Sequence, residues 1–295
     1  MKIVVGISPD DSGADAVALG AVVARLLGAT VILAHVQPPT IDYPSMGNVD
    51  AEWESFLRER AQVALGQASS RLASEWGMGE YLETVVADSS VSRGLARVAE
   101  EHQADVIVLG PGSHGPEGHI ALGSIAHSLL RGGSCAIALA PEGYRDSAPD
   151  AIQRIVVGFQ DAESAAPIVS SAMTVGVTES IPVHLLTVII RVTRIVGARI
   201  GRDPERMVMD SLIAQAHKAQ DDFIASTSMD LGASVVQGDT ADRAMARFDW
   251  RDGDLFVLAS SRFAVIKHVF LGDVSYKLLR GCEVPALVVP RGLKW

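Results

Sequence analysis

Two cysteines in 295 residues leave no material for a disulfide framework, which points to a reducing compartment. Cys135 and Cys282 do not stand at equivalent places in the chain's two halves. Aromatics make up only 5% of residues, while Ala, Val, Leu and Gly dominate. That composition argues against an all-β sandwich and for close-packed α/β layers. Basic residues are outnumbered, giving a net charge of −10, so no general affinity for nucleic acid or anionic membrane is expected. No uncharged apolar run is long enough to span a bilayer. The opening Met1-Lys-Ile-Val-Val-Gly6 has strand length and no signal-peptide anatomy, so a cytoplasmic protein is expected.

What the chain does have is repetition. Asp105-Val-Ile-Val-Leu-Gly110 is echoed by Asp254-Leu-Phe-Val-Leu-Ala259. Leu122-Gly123-Ser124-Ile125 returns as Leu271-Gly272-Asp273-Val274, Leu129-Leu130-Arg131-Gly132 as Leu278-Leu279-Arg280-Gly281, and Pro141 as Pro290. Every pair is 149 positions apart, as 105 is from 254. The length also suits two units of about 150 residues. A first domain over 1–143, a linker over 144–152 and a second domain over 153–295 are expected.

Short apolar runs alternate with helical periodicity in both halves, the signature of βαβ crossovers and a parallel sheet. The predicted strands of the first half are Lys2–Ile7, Thr30–Val36, Leu82–Ala87, Asp105–Leu109 and Cys135–Ala140. Its helices are Ala14–Leu27, Val49–Trp76, Ser92–His102 and Ser124–Arg131, the first capped by Asp and Ser residues of 8–12. The second half repeats this with strands Arg154–Phe159, Val183–Val188, Ala233–Gln237, Leu255–Ala259 and Ala286–Val289. Its helices fall over Ala162–Gly176, within Pro204–Met229, over Ala241–Asp249 and over Asp273–Arg280. The basic stretch Arg191–Asp203 has no counterpart and reads as a loop, with an arm or a lid as alternatives.

The segment most able to carry chemistry runs from Val106 through Gly110, Gly112, Ser113, Gly115 and Gly118 to Gly123 and Ser124. A buried strand ends in a glycine-rich loop that returns to a helix N-terminus. Converging N–H groups, the helix dipole and the Ser124 hydroxyl suit a phosphate. No Gly-Lys-Ser/Thr follows, and the loop sits after the fourth strand rather than the first, so it is neither a Walker loop nor the dinucleotide fingerprint. Glycines that merely supply positive φ in a turn would look the same in sequence. Its position adds weight. In a sheet of order 3-2-1-4-5 the ends of strand one (Gly6, Ile7, Ser8) and strand four (Leu109, Gly110) face one crevice at the topological switch point.

Together, the strand starts Val4-Val5-Gly6 and Val156-Val157-Gly158, the strand-two ending Ala34-His35-Val36, the paired fourth strands and the Leu-Gly-Ser/Asp helix starts resemble the universal stress protein family, in tandem. The resemblance implies two Rossmann-like (adenine nucleotide alpha hydrolase-like) α/β domains. Each would be a five-stranded parallel sheet of order 3-2-1-4-5 with helices on both faces. The family's ATP binders carry Gly-2X-Gly-9X-Gly-Ser/Thr after strand four, and this chain has Gly110-2X-Ser113-9X-Gly123-Ser124. Spacing is kept, and Ser113 stands where the second glycine would be. Ser8 stands where those binders place an aspartate, with Asp10 and Asp11 nearby. The resemblance implies ATP or AMP, with Mg2+ accompanying ATP, in the first half. The adenine would lie near Val36, and the implied contacts are Ile7, Ser8, Val36, Leu109, Gly110, Gly112, Ser113, Gly123, Ser124 and Ile125.

The second half supplies the comparison, reading Ala259-2X-Arg262-9X-Gly272-Asp273 at the same spacing, with Gln160 opposite Ser8. Side chains replace glycine, and a carboxylate occupies the helix start where a phosphate would sit. That site is expected to be degenerate, although Arg262, Lys267 and His268 could draw another anion. His114, His119 and His127 match no zinc pattern, and no metal site is expected. Glu117 could serve as a base only beside a nucleotide. His35 reads as structural, Cys135 as buried and Cys282 as the more exposed thiol in a polar turn.

Three functions compete: a nucleotide-binding regulator of the stress response, an interaction module whose crevices are closed by their own side chains, and a slow ATPase. Nothing positions a water-activating group, so no enzyme is expected. The fifth strands are expected at sheet edges, where exposed ladders need covering. Resemblance to the family implies that they pair within the chain across a pseudo-twofold axis and that chains dimerise further.

Overall fold

The computed structural model describes residues 1–39, 49–112, 116–132, 135–190, 202–227, 229–259 and 273–290. The first half runs β1 (Lys2–Gly6), α1 (Asp11–Leu27), β2 (Thr30–Gln37), α2 (Val49–Ser74), β3 (Tyr81–Ala87), α3 (Val91–His102), β4 (Val106–Leu109), α4 (Ser124–Gly132) and β5 (Ala136–Leu139). A short helix α5 (Tyr144–Ser147) leads into the second half. There follow β6 (Arg154–Gly158), α6 (Ala162–Glu179), β7 (Val183–Ile190), α7 (Arg202–Thr227), β8 (Leu231–Gly238), α8 (Ala241–Met245), β9 (Asp254–Ala259), α9 (Asp273–Arg280) and β10 (Ala286–Val289).

Each half has the strand order 3-2-1-4-5, and the two join into one ten-stranded sheet, β3-β2-β1-β4-β5-β10-β9-β6-β7-β8. All pairings within a half are parallel. The central one, β5 with β10, is antiparallel, with Ile137 opposite Val288 and Leu139 opposite Ala286. The fifth strands are therefore at the middle of the sheet, and β3 and β8 form its edges. The runs Ile3-Val4-Val5, Ile107-Val108 and Ala286–Val289 are fully buried. Helices cover both faces, so consecutive strand residues feed alternate layers: Ile3 and Val5 pack in one core cluster, Val4 in the other. Each buried Val or Ile side chain contributes on the order of 2 kcal/mol.

Several local expectations change. The residues expected as a plain linker include α5, whose Tyr144 is buried. Asp15 of α1, fully buried, holds this segment by accepting from the Gly143 and Arg145 backbone N–H groups at 3.1 and 2.9 Å. Asp10 is the N-cap residue of α1 but makes no side-chain capping bond. At α6 the Asp161 carboxylate does accept from Ser164 N–H, at 2.9 Å. The helix expected over Ala241–Asp249 stops at Met245, because tighter i→i+3 turns follow and the Trp250 indole N–H takes the Met245 carbonyl. Cys282 is not the exposed thiol. It is fully buried, and its Sγ donates to Val284 O at 3.3 Å. Among the described residues no helix is long and apolar enough to cross a membrane.

Candidate functional site

A cavity of about 430 Å³ opens at the carboxyl ends of β1, β2 and β4, under the start of α2 and against the N-terminus of α4. Gly6, Ile7 and Ser8 line it from β1, Ala34 to Gln37 from β2, and Leu109 to Gly112 from β4 and its loop; Gly123, Ser124 and Ile125 come from the start of α4. Nine of the ten residues singled out from the sequence, Ile7, Ser8, Val36, Leu109, Gly110, Gly112, Gly123, Ser124 and Ile125, thus meet at one crevice. The tenth, Ser113, lies outside the described residues, as do His114, Arg262, Lys267, His268, Gly272, most of Arg191–Asp203 and the Asp273 side chain.

The loop's glycines are needed for close approach, not for positive φ; neither Gly110, Gly112 nor Gly123 has it. A Cβ on Gly110 would collide with the carbonyl oxygen of Ser12 in α1. A Cβ on Gly112 would collide with the Gly123 backbone, and one on Gly123 would stand 3.0 Å from Gly112 Cα. The Gly112 N–H donates to Ala121 O at 2.7 Å, closing the loop on itself. Strand end and helix start are therefore clamped together, and Ser124 is left exposed at the helix N-terminus. Such a cradle presents backbone donors and a helix dipole to an anion.

His35 is a structural residue, as expected. It is buried, and its Nδ1 pairs with Ile7 O at 3.0 Å, tying the ends of β2 and β1. Four residues from α2 escaped the sequence reading: Trp53, Phe56, Leu57 and Arg60. Trp53 and Phe56 stack at 5.6 Å between centroids, and the Arg60 guanidinium lies 5.8 Å over the Phe56 ring. Their i, i+3, i+4, i+7 spacing is a helical stripe, and their half-exposed aromatic character is the signal that marks it. Arg60 and Asp10 are the charged side chains on the described wall.

The other residues weighed for chemistry lie elsewhere. Glu117 is exposed and off the crevice wall, its carbonyl paired with His119 Nδ1 at 3.1 Å. His119 faces Glu283 at 3.8 Å, and His127 packs on the Tyr276 ring at 5.0 Å, so both face the second half. Among the described residues no cluster of three or more His, Cys, Asp or Glu side chains could hold a metal.

The second half differs where the first is open. Register places Leu186 opposite Ala34, since Gly6 pairs with Ala34 and Gly158 with Leu186. Phe159 and Gln160 follow Gly158 where Ile7 and Ser8 follow Gly6, and Phe159 is buried against Phe223 at 5.3 Å. At these described positions the second half carries bulkier side chains than the first: Phe159, Gln160 and Leu186 against Ile7, Ser8 and Ala34.

Residues 1–141 match the model of the universal stress protein family. Universal stress proteins of Mycobacterium bovis and Mycobacterium tuberculosis are each 29% identical over 292 residues, covering 98% of this chain and 100% of the relative. The crystal structure of a universal stress protein from Archaeoglobus fulgidus shares the fold at a TM-score of 0.67, with 13% identity over 99% of this chain and 98% of that one. The first half thus matches the universal stress protein family model, and the chain as a whole is similar to universal stress proteins over nearly its full length and shares their fold.

Proposed function

We propose that this protein is a stress-response regulator that binds an adenine nucleotide, ATP or AMP, in its N-terminal half. The observation carrying the reading is the convergence of the glycine cradle, the α4 N-terminus and an apolar slot beside Val36 on one cavity of about 430 Å³. That volume is in the range of small-molecule sites, roughly 300–1,000 Å³. Gly110, Gly112, Gly123 and Ser124 would face the phosphates, with Mg2+ accompanying ATP. Ser8 and Asp10 would face the ribose, and Val36 the base. The open crevice favours this over a module whose crevices are filled by their own side chains. Among the described wall residues Asp10 is the one carboxylate; the glycine cradle and helix N-terminus are features of anion binding, so a binding role is favoured over turnover.

In this reading residues 1–143 form the ligand-binding domain, 144–152 the connection and 153–295 a domain that has lost the site. The antiparallel β5–β10 ladder supports a pairing of the two domains through their fifth strands, and a dimer of chains would extend it. Titration of the purified full chain with ATP and AMP by calorimetry tests the proposal. Saturable binding with one site per chain is expected; no binding at millimolar nucleotide overturns it. Mass spectrometry of the denatured protein gives an independent readout of any nucleotide carried through purification.

A further inference from the structure

Two large rings on the crevice wall serve neither the anion cradle nor the core. Trp53 and Phe56 line the cavity and keep 48% and 46% of their surface exposed. Further along α2 the helix packs into a core layer through Ala64, Leu65, Ala68 and Leu72. Leu57, between the rings and that stretch, is buried against neither core layer but lines the same cavity. The first turns of α2 therefore lie over the crevice rather than over the sheet. There the rings are held by each other, stacked with 24° between their planes, and by the Arg60 guanidinium over Phe56.

Topology says where the rings stand relative to the cradle. The sheet runs β2-β1-β4; α2 follows β2, and the glycine loop and α4 follow β4. Neighbouring strands lie about 4.8 Å apart, so the two ends of the crevice are separated by roughly 10 Å. The cavity also straddles the end of β2. Trp53 and Phe56 come from α2, on one face of the sheet, and Leu95 from α3, on the other. The repeat offers a control. From Met207 to Asp222 the corresponding helix α7 holds no Trp, Phe, Tyr or Arg, and its exposed apolar chains, Met207, Val208 and Leu212, are not rings. The half that departs from the glycine spacing also lacks the rings.

We infer that Trp53 and Phe56 form a stacking platform that holds the flat ring of a nucleotide base at the β2 end of the crevice, with the phosphates on the cradle at the β4 end. A ligand with a planar aromatic end and an anionic end uses both features; an inorganic anion uses the cradle alone. Stacking on an aromatic side chain needs a π face and no particular hydrogen-bond pattern. The platform therefore supplies affinity for the base. This inference rests on the nucleotide-binding reading above and adds to it the residues that grip the base.

The test titrates the full-length protein with ATP, read by calorimetry and by tryptophan fluorescence. ATP should change the fluorescence of the wild type. Trp53→Ala should weaken ATP about tenfold, the worth of one stacked ring. Trp53→Phe, which keeps a ring, should bind within about threefold of the wild type and lose the fluorescence change. Val63→Ala, at an exposed position of α2 away from the crevice, should bind like the wild type; circular dichroism confirms that all three variants fold. ATP binding without a fluorescence change in the wild type, an undiminished affinity in Trp53→Ala, or equal losses in Trp53→Ala and Trp53→Phe overturns the platform while leaving nucleotide binding intact. Failure of the wild type to bind ATP overturns both.

Discussion

Replacing Gly112 by alanine probes the cradle directly. The new Cβ would stand 2.5 Å from Gly123 Cα and 3.2 Å from Ala121 O. Carbon atoms rest at about 3.5–4.0 Å, so the strand end and helix start must part by about 1 Å. Overpacking of that kind costs about 1–3 kcal/mol. The Gly112–Ala121 bond, 2.7 Å in the wild type, is stretched by the same displacement, adding on the order of 1 kcal/mol. Gly66→Ala is the control. A Cβ at Gly66 in α2 meets nothing within 4 Å, and a glycine-to-alanine change inside a helix contributes about 0.5–1 kcal/mol. Urea unfolding followed by circular dichroism should therefore move in opposite directions, down by about 2–4 kcal/mol for Gly112→Ala and up by about 1 kcal/mol or less for Gly66→Ala. ATP affinity should fall at least tenfold in the first and hold in the second, because only the first displaces the proposed phosphate donors. A Gly112→Ala protein with wild-type midpoint and wild-type ATP affinity would refute the close approach as the reason for glycine at this position.

Three further outcomes are expected. Asp254 is fully buried and pairs bidentately with Arg154 at 2.8 and 2.5 Å, so Asp254→Ala strands a guanidinium and should cost about 3–5 kcal/mol in urea unfolding; the double variant Arg154→Met/Asp254→Leu should recover most of it, and a loss under about 1 kcal/mol for the single variant contradicts the pairing. Burial pushes the Cys135 thiol up to about 11 and the Cys282 thiol up to about 12, so an aromatic disulfide reagent at pH 8 should leave the native protein unmodified and label two thiols after denaturation; fast native labelling would show that these thiols are not enclosed. Burial, with the nearby Arg154 charge second, holds the His184 imidazole below its usual 6.5, so the unfolded chain binds its proton first and stability is present above pH 6.5 and lost as pH falls below it. His184→Gln should flatten that slope between pH 7 and 5, and an unchanged slope assigns the acid sensitivity to other groups.

The strand order of each half was legible because a parallel sheet covered on both faces writes itself as short apolar runs alternating with helical stripes. The residues of β1, β4 and α4 that meet at the crevice were legible through glycine spacing and comparison of the halves. Trp53, Phe56 and Arg60 were not, because a stripe on a long helix does not say which cavity the helix covers. Gln37, at the end of β2 beside Val36, was passed over because only burial reveals that its side-chain oxygen has no partner among the described residues. Cys282 was misjudged from its polar neighbours, since Arg280 and Glu283 are exposed while the thiol is buried in the core layer that also holds Phe256 and bonds Val284 O.

The sequence by itself determined the duplication, the α/β class and the inequality of the two halves. Those follow from residue identity at matched positions and from local periodicity. Only the tertiary structure decided that β5 and β10 meet antiparallel at the centre of a single sheet, that Gly112 and Gly123 touch, and that α2 roofs the crevice. These are contacts between segments far apart in the chain, set by how whole layers pack.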